Sequence, residues 1–205
     1  MLYAQNPIQE VFEWYCGRIN ASENDLDLAA EKLQPIVKQI RTEYKSPFGK
    51  TFTYGDTEFQ NGYLVAYFPY YIEPIYHVLK ETDLSGDLLA KESLRVSFFG
   101  GGPCPEALGV SAFLREEAAH LKSVDIAIFD REKSWDKIHR ELLTGMIKNY
   151  SGNTHYTIEG CHCNVSACAP EKCSSRKSIV GSDLVVAQNF MSEVTTVRLK
   201  NSKML

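Results

Sequence analysis

No apolar run in the chain approaches the roughly 18 residues that a membrane-spanning helix requires. Residues 1–9 carry neither the basic nor the apolar segment of a secretory leader. The expectation is a cytoplasmic protein with no membrane partner. Basic charge is also short: 22 Lys and Arg stand against 26 Asp and Glu, a net charge of −4. A chain that is basic throughout is thereby excluded, and net charge lends nucleic acid no support, although a local basic patch stays open. Cysteine is sparse. Cys16 and Cys104 sit in apolar or glycine-rich surroundings and the other four of the six crowd into 161–173, which is not the pattern of a secreted disulfide scaffold. Reduced thiols are expected, and there is neither an internal repeat nor a low-complexity tract.

What the chain does have is enough apolar residue for a core, 44% of 205, and a change of pattern near residue 93. Before it the pattern is helical. Asn6-Pro7 followed by Ile8, Val11, Phe12 and Tyr15 predicts a helix to about Ile19. Ser22-Glu23-Asn24-Asp25 resembles a capping box for a second helix with Leu26, Ala29, Leu33, Val37, Ile40 and Tyr44 on one face and a bend at Pro35. A polar loop to Gly62 is then expected. Residues 63–77 hold five tyrosines and two prolines and read as an aromatic helix–turn–helix, with the rings as core in preference to a stacking platform.

After residue 93 strands and helices alternate, which predicts a mostly parallel α/β sheet. Strands are expected at 95–99, 124–129, 155–160 and 183–187, with helices at about 105–121 and 134–149. The most informative stretch is Leu94–Gly109, where a buried strand runs into Gly100-Gly101-Gly102-Pro103-Cys104 and then a helix. That geometry brings backbone N–H groups close to a ligand. A second apolar run, Val124–Phe129, ends in Asp130, where such folds place a carboxylate on a ribose. The plainer readings are a tight strand-to-helix connection for the glycines and a helix cap for Asp130. Gly-x-Gly-x-x-Gly is not met, because Pro105 holds its sixth position, so NAD is the weaker ligand.

The order of these motifs resembles that of the Rossmann-like (class I) S-adenosylmethionine-dependent methyltransferases over about residues 94–193. With the helical pattern before it, the chain is expected to comprise a helical region at 1–93 and, as the resemblance implies, a Rossmann-like cofactor-binding domain at 94–205. It also implies S-adenosylmethionine as cofactor, held by Phe99, Gly100, Gly101, Gly102, Pro103, Asp130, Arg131, Gln188 and Asn189. The implied activity is methyl transfer to an unidentified RNA, protein or small molecule, and no catalytic residue is assigned. Three positions depart from the family pattern. Phe98 stands where many members have an acidic residue, Cys104 where the turn has a third small residue, and Gly160-Cys161-His162 where an aspartate often meets adenine. They support the alternative of a non-catalytic scaffold on a degenerate methyltransferase fold.

Cys161, His162, Cys163, Cys168 and Cys173 are the chain's only candidate metal cluster. Their Cys-x-Cys-x4-Cys-x4-Cys spacing lacks paired Cys-x2-Cys knuckles, so no metal is expected. His77, His120 and His139 read as surface or satisfied core residues. Sixteen residues follow Asn189. They leave room for little more than a strand at Thr195–Leu199, so the sheet is expected to be incomplete, either in a truncated chain or in a homodimer formed through its open edge.

Overall fold

The computed structural model describes residues 6–21, 25–45, 54–82, 86–164 and 179–188. Two compact units follow one another, Met1–Tyr71 and Ile72–Leu205.

In the first unit α1 (Pro7–Arg18) opens with Asn6, whose side chain accepts from the Ile8 N–H at 3.0 Å, and with Pro7 at the position where its missing N–H costs nothing. α2 (Leu26–Tyr44) buries Ala29, Leu33 and Ile40 and continues through Pro35. Asp25 stands at its N-cap without a side-chain cap bond, and 22–24 lie outside the described residues. From Thr57 onward the expected polar loop to Gly62 is instead helical, and 46–53 lie outside the described residues. α3 (Thr57–Tyr67) is capped by Asp56, which accepts from the Phe59 N–H at 2.8 Å. Gln60, Asn61 and Gly62 are buried because α3 packs closely on α2. A β-carbon on Gly62 would come within 2.5 Å of Ile36 Cγ2. The 3-10 turn Phe68–Tyr71 ends the unit. Tyr44, Tyr63, Tyr67 and Tyr71 form a run of ring contacts at 5.1–6.5 Å, so these tyrosines serve packing within the unit.

The second unit begins with α4 (Ile72–Glu81) and the short α5 (Gly86–Leu89). Then come β1 (Ser93–Phe99), α6 (Glu106–Glu117), β2 (Ser123–Asp130), α7 (Trp135–Ile138) with a π turn (His139–Leu143), α8 (Thr144–Tyr150), β3 (His155–His162) and β4 (Leu184–Val186). The four strands form one parallel sheet in the order β3-β2-β1-β4, a Rossmann-like arrangement whose order reverses between β1 and β4. Leu94, Val96, Phe98, Val124, Ile126 and Ile128 form its buried row. In the other row Arg95, Asp125 and Thr157 are exposed, and Thr157 donates to Asp125 at 2.5 Å. α4 and α6 meet at Gly109, where a β-carbon would lie 2.2 Å from the Ile72 carbonyl oxygen.

β4 is shorter than the expected 183–187. The Asp183 N–H donates to the Arg95 carbonyl at 2.8 Å, but its carboxylate accepts the Arg95 N–H at 2.7 Å, so a side chain takes the place of a ladder carbonyl. Lys91 pairs with the same carboxylate. The expected strand at Thr195–Leu199 and Cys168, Cys173 and Asn189 fall outside the described residues.

Candidate functional site

β1 delivers the chain into the glycine turn at the carboxyl edge of the sheet. Gly100 and Gly102 have φ of +62° and +50°, and Cys104 takes +57°. This is the left-handed region that glycine enters freely and a residue with a β-carbon enters at a cost. The Cys104 N–H closes the turn on the Gly101 carbonyl at 2.6 Å. The glycines have different reasons to be glycine. Gly102 would set a β-carbon no nearer than 3.8 Å to Trp135, so its need is conformational. Gly101 lies against the strand instead, where a β-carbon would meet Ile128 Cγ2 at 2.8 Å, so its need is packing.

Asp130 ends β2 directly beside this turn. One carboxylate oxygen accepts the Gly102 N–H at 2.9 Å and the other the Glu132 N–H at 2.8 Å. It is therefore not the cap of α7, whose N-cap is Ser134. It closes an Asx-type turn and fastens the glycine turn to β2, and each oxygen keeps lone-pair capacity for a further donor.

Other residues converge here to which the sequence reading gave no site role, among them His139, read there as a surface or satisfied core residue. Trp135, 2% exposed, packs beside Gly102. His139 lies at the same edge, its Nε2 2.7 Å from the Gly102 carbonyl and its Nδ1 buried with no partner. Because a carbonyl only accepts, Nε2 carries the proton and Nδ1 presents a lone pair. Burial lowers the His139 pKa against the raising influence of the Gly102 carbonyl, Asp136 and Asp130. The neutral ring is the resident form. A β-carbon on Gly160, near the end of β3, would stand 2.1 Å from Asp136 Oδ1 and 3.3 Å from His139 Nδ1. A carboxylate from α7 thus lies over the strand end that the sequence leaves bare. Trp135, Asp136 and His139 share one helical face at spacings of three and four, the one signal that could have grouped them.

Glu106 opens α6 and is 7% exposed, with Oε2 unpartnered. Burial pushes its pKa from 4.5 up to about 8, opposed by a bond from its own backbone N–H. The Cys104 thiol, fully buried beside it, is pushed well above its ordinary value, first by burial and then by Glu106. Neither a thiolate nucleophile nor a metal ligand is prepared there.

Of the sequence-assigned residues, Gly100, Gly101, Gly102, Pro103 and Asp130 come together. Phe99 adjoins them, but its ring stacks on Phe129 at 4.8 Å in a cluster with Ala127 and Cys163. Arg131 is exposed. Gln188 lies two residues beyond Val186, the β4 residue in register with Phe98 of β1. It therefore follows the strand on the opposite side of β1 from Asp130. Cys161, His162 and Cys163 end β3 half-buried, exposed and buried respectively, and no group of three metal-ligating side chains occurs among the described residues. No family model, curated protein or solved structure matches this chain.

Proposed function

We propose that the second unit binds S-adenosylmethionine at the carboxyl edge of its sheet and transfers the methyl group to an acceptor, in the cytoplasm. The observation that carries this reading is the 2.9 Å bond between Gly102 N–H and the Asp130 carboxylate, which joins a left-handed glycine turn after β1 to an acidic strand end beside the order reversal. Two further features favour it. Asp136 supplies, from α7, a carboxylate over Gly160 where the family pattern has an aspartate on the strand. Glu106 Oε2 and His139 Nδ1 are buried polar atoms at this edge without partners, a state that ordinarily has a functional reason. The free thiols of Cys16, Cys104 and Cys161 suit a reducing compartment.

The bound cofactor supplies a carbon already activated by its sulfonium. The chain's own work is then alignment. The turn's backbone admits the ligand without side-chain bulk, Asp130 accepts the hydrogen bonds of the ribose hydroxyls, and Gln188, which follows β4, serves the methyl side. Holding donor and acceptor in near-attack geometry supplies much of the rate without an obligatory acid or base. A second reading, binding without transfer, is favoured by Cys104, whose side chain occupies the turn's third small position and is wholly buried.

Calorimetric titration with S-adenosylmethionine and its demethylated product tests the proposal. Saturable heat with either supports the site, and none with both overturns it. Labelled methyl transfer into fractionated RNA, protein and metabolites then separates the enzyme from the scaffold and identifies the acceptor class.

A further inference from the structure

An open groove of about 860 Å³ lies within the first unit, floored by Phe12 of α1, Leu33 of α2 and Val65 of α3. Its rim is the exposed face of α2, with Asp27, Glu31, Gln34, Lys38 and Arg41 at alternating intervals of four and three residues. That alternation keeps one seam along a helix facing a partner helix. Charge along the seam falls into two blocks, acidic toward the amino end and basic toward the carboxyl end. The helix dipole favours that order, but it acts on every face alike. Lys32 and Glu43, the two charges within α2 that break the order, lie off the groove. Among the described residues none of Asp27, Glu31, Lys38 and Arg41 enters an ion pair. Asp27 with Glu31 and Lys38 with Arg41 are like-charge neighbours one turn apart, each pair unfavourable to the isolated helix.

We propose that this face docks a second copy of the chain, α2 against α2, antiparallel about a two-fold axis at Gln34. The arithmetic of the seam selects that partner. Gln34 is midway between Asp27 and Arg41, so a two-fold there sets Asp27 opposite the partner's Arg41 and Glu31 beside the partner's Lys38. Each contact occurs twice, as an isologous interface requires. The two Gln34 amides meet at the axis, where each donates to and accepts from the other. Ala30 and Val37, exposed and half-buried, flank them and supply the apolar contact. Antiparallel docking also opposes the helix dipoles favourably. This interface belongs to the first unit, whereas the homodimer expected from the sequence runs through the sheet of the second.

The test is sedimentation equilibrium of the full-length chain and its charge variants. The wild type is expected to dimerise, with affinity falling as salt is raised. D27K/E31K and K38E/R41E, each now carrying one sign along the whole seam, are expected to dissociate about tenfold or more readily. Mixed in equal amounts, they are expected to form a one-to-one heterodimer. Gln34→Arg, mid-helix and so neutral toward the dipole, sets like charges face to face on the axis and is expected to weaken the dimer similarly while leaving the circular dichroism unchanged. A monomeric wild type, variants that dimerise as tightly as wild type, or reversed chains that fail to pair with each other would each overturn the proposal.

Discussion

At the scale of single residues, the glycine turn and Asp130 hold one another. Asp130→Ala removes the acceptor for two backbone N–H groups. It should cost about 1–3 kcal/mol of stability without ligand, and about 1.5–3 kcal/mol of cofactor affinity in protein that remains folded. Chemical unfolding and calorimetric titration read the two separately, and an unchanged midpoint would show the turn to be held by other contacts. Gly102→Val forces a β-branched residue into φ near +50° and should destabilise more than Gly102→Asn, which tolerates that region. Equal unfolding midpoints for the two would mean that the turn rearranges.

Glu106 and His139 impose opposite pH limits. A glutamate raised from 4.5 to about 8 binds more protons folded than unfolded between those values. Its contribution is full below about 4.5 and fades as pH rises through 8, on the order of a few kcal/mol. His139, its folded pKa depressed below 6.5, contributes stability above the unfolded value that is lost as pH falls through the folded one. Glu106→Gln should therefore flatten the alkaline limb of the stability profile and His139→Gln the acid limb. A limb that survives its substitution would assign that titration elsewhere.

At the scale of elements, the π turn at His139–Leu143 aims a ring from the β2–β3 connection at the glycine turn. The His139 carbonyl accepts the Thr144 backbone N–H, the widened bond of the π turn, and also Thr144 Oγ1 at 2.8 Å. His139→Phe keeps the bulk and leaves the Gly102 carbonyl unpaired, so it should cost about 1–3 kcal/mol and loosen hydrogen exchange in the turn. Protection at Gly102 and Cys104 that matches wild type would reduce His139 to a filler. Nothing in the one-dimensional pattern placed this residue beside Gly102. A helix of constant pitch was the expectation, and the widened turn changes which way a side chain points. Asp183, just before β4, is the counterpart. Its β-branched neighbours predicted a strand, but a carboxylate substituting for the ladder was invisible until Arg95 stood opposite.

At the scale of the whole chain, the two compact units should unfold as two calorimetric transitions. Gly62→Ala crowds Ile36 in the first unit, and Gly109→Ala drives a methyl into the Ile72 carbonyl in the second. Each should lower its own transition and leave the other in place. The backbone clash at Gly109 should be the more damaging, because a carbonyl held in a helix yields less than a side chain. A single transition moved by either substitution would show that the units melt together.

The sequence by itself determined the kinds of element and their order. Period-two and period-3.6 apolar patterns, the Asn6-Pro7 helix start and the glycines after Phe99 are local signals, written within a few residues of where they act. They were enough for an alternating α/β chain and for the positions of the glycine turn and Asp130. The extent of α3 was not legible, because polar Gln60 and Asn61 are buried by packing of α3 on α2 and not by their own preference. Only tertiary structure decided that Asp130 ties down Gly102, that Asp136 covers Gly160, and that His139 and Glu106 are buried with polar atoms unpaired. The contacts of Asp130 and His139 with Gly102 and of Asp136 with Gly160 join residues 24 to 37 positions apart. Desolvation and close contact are set by what the fold brings near, and the local pattern of a chain carries no record of that distance.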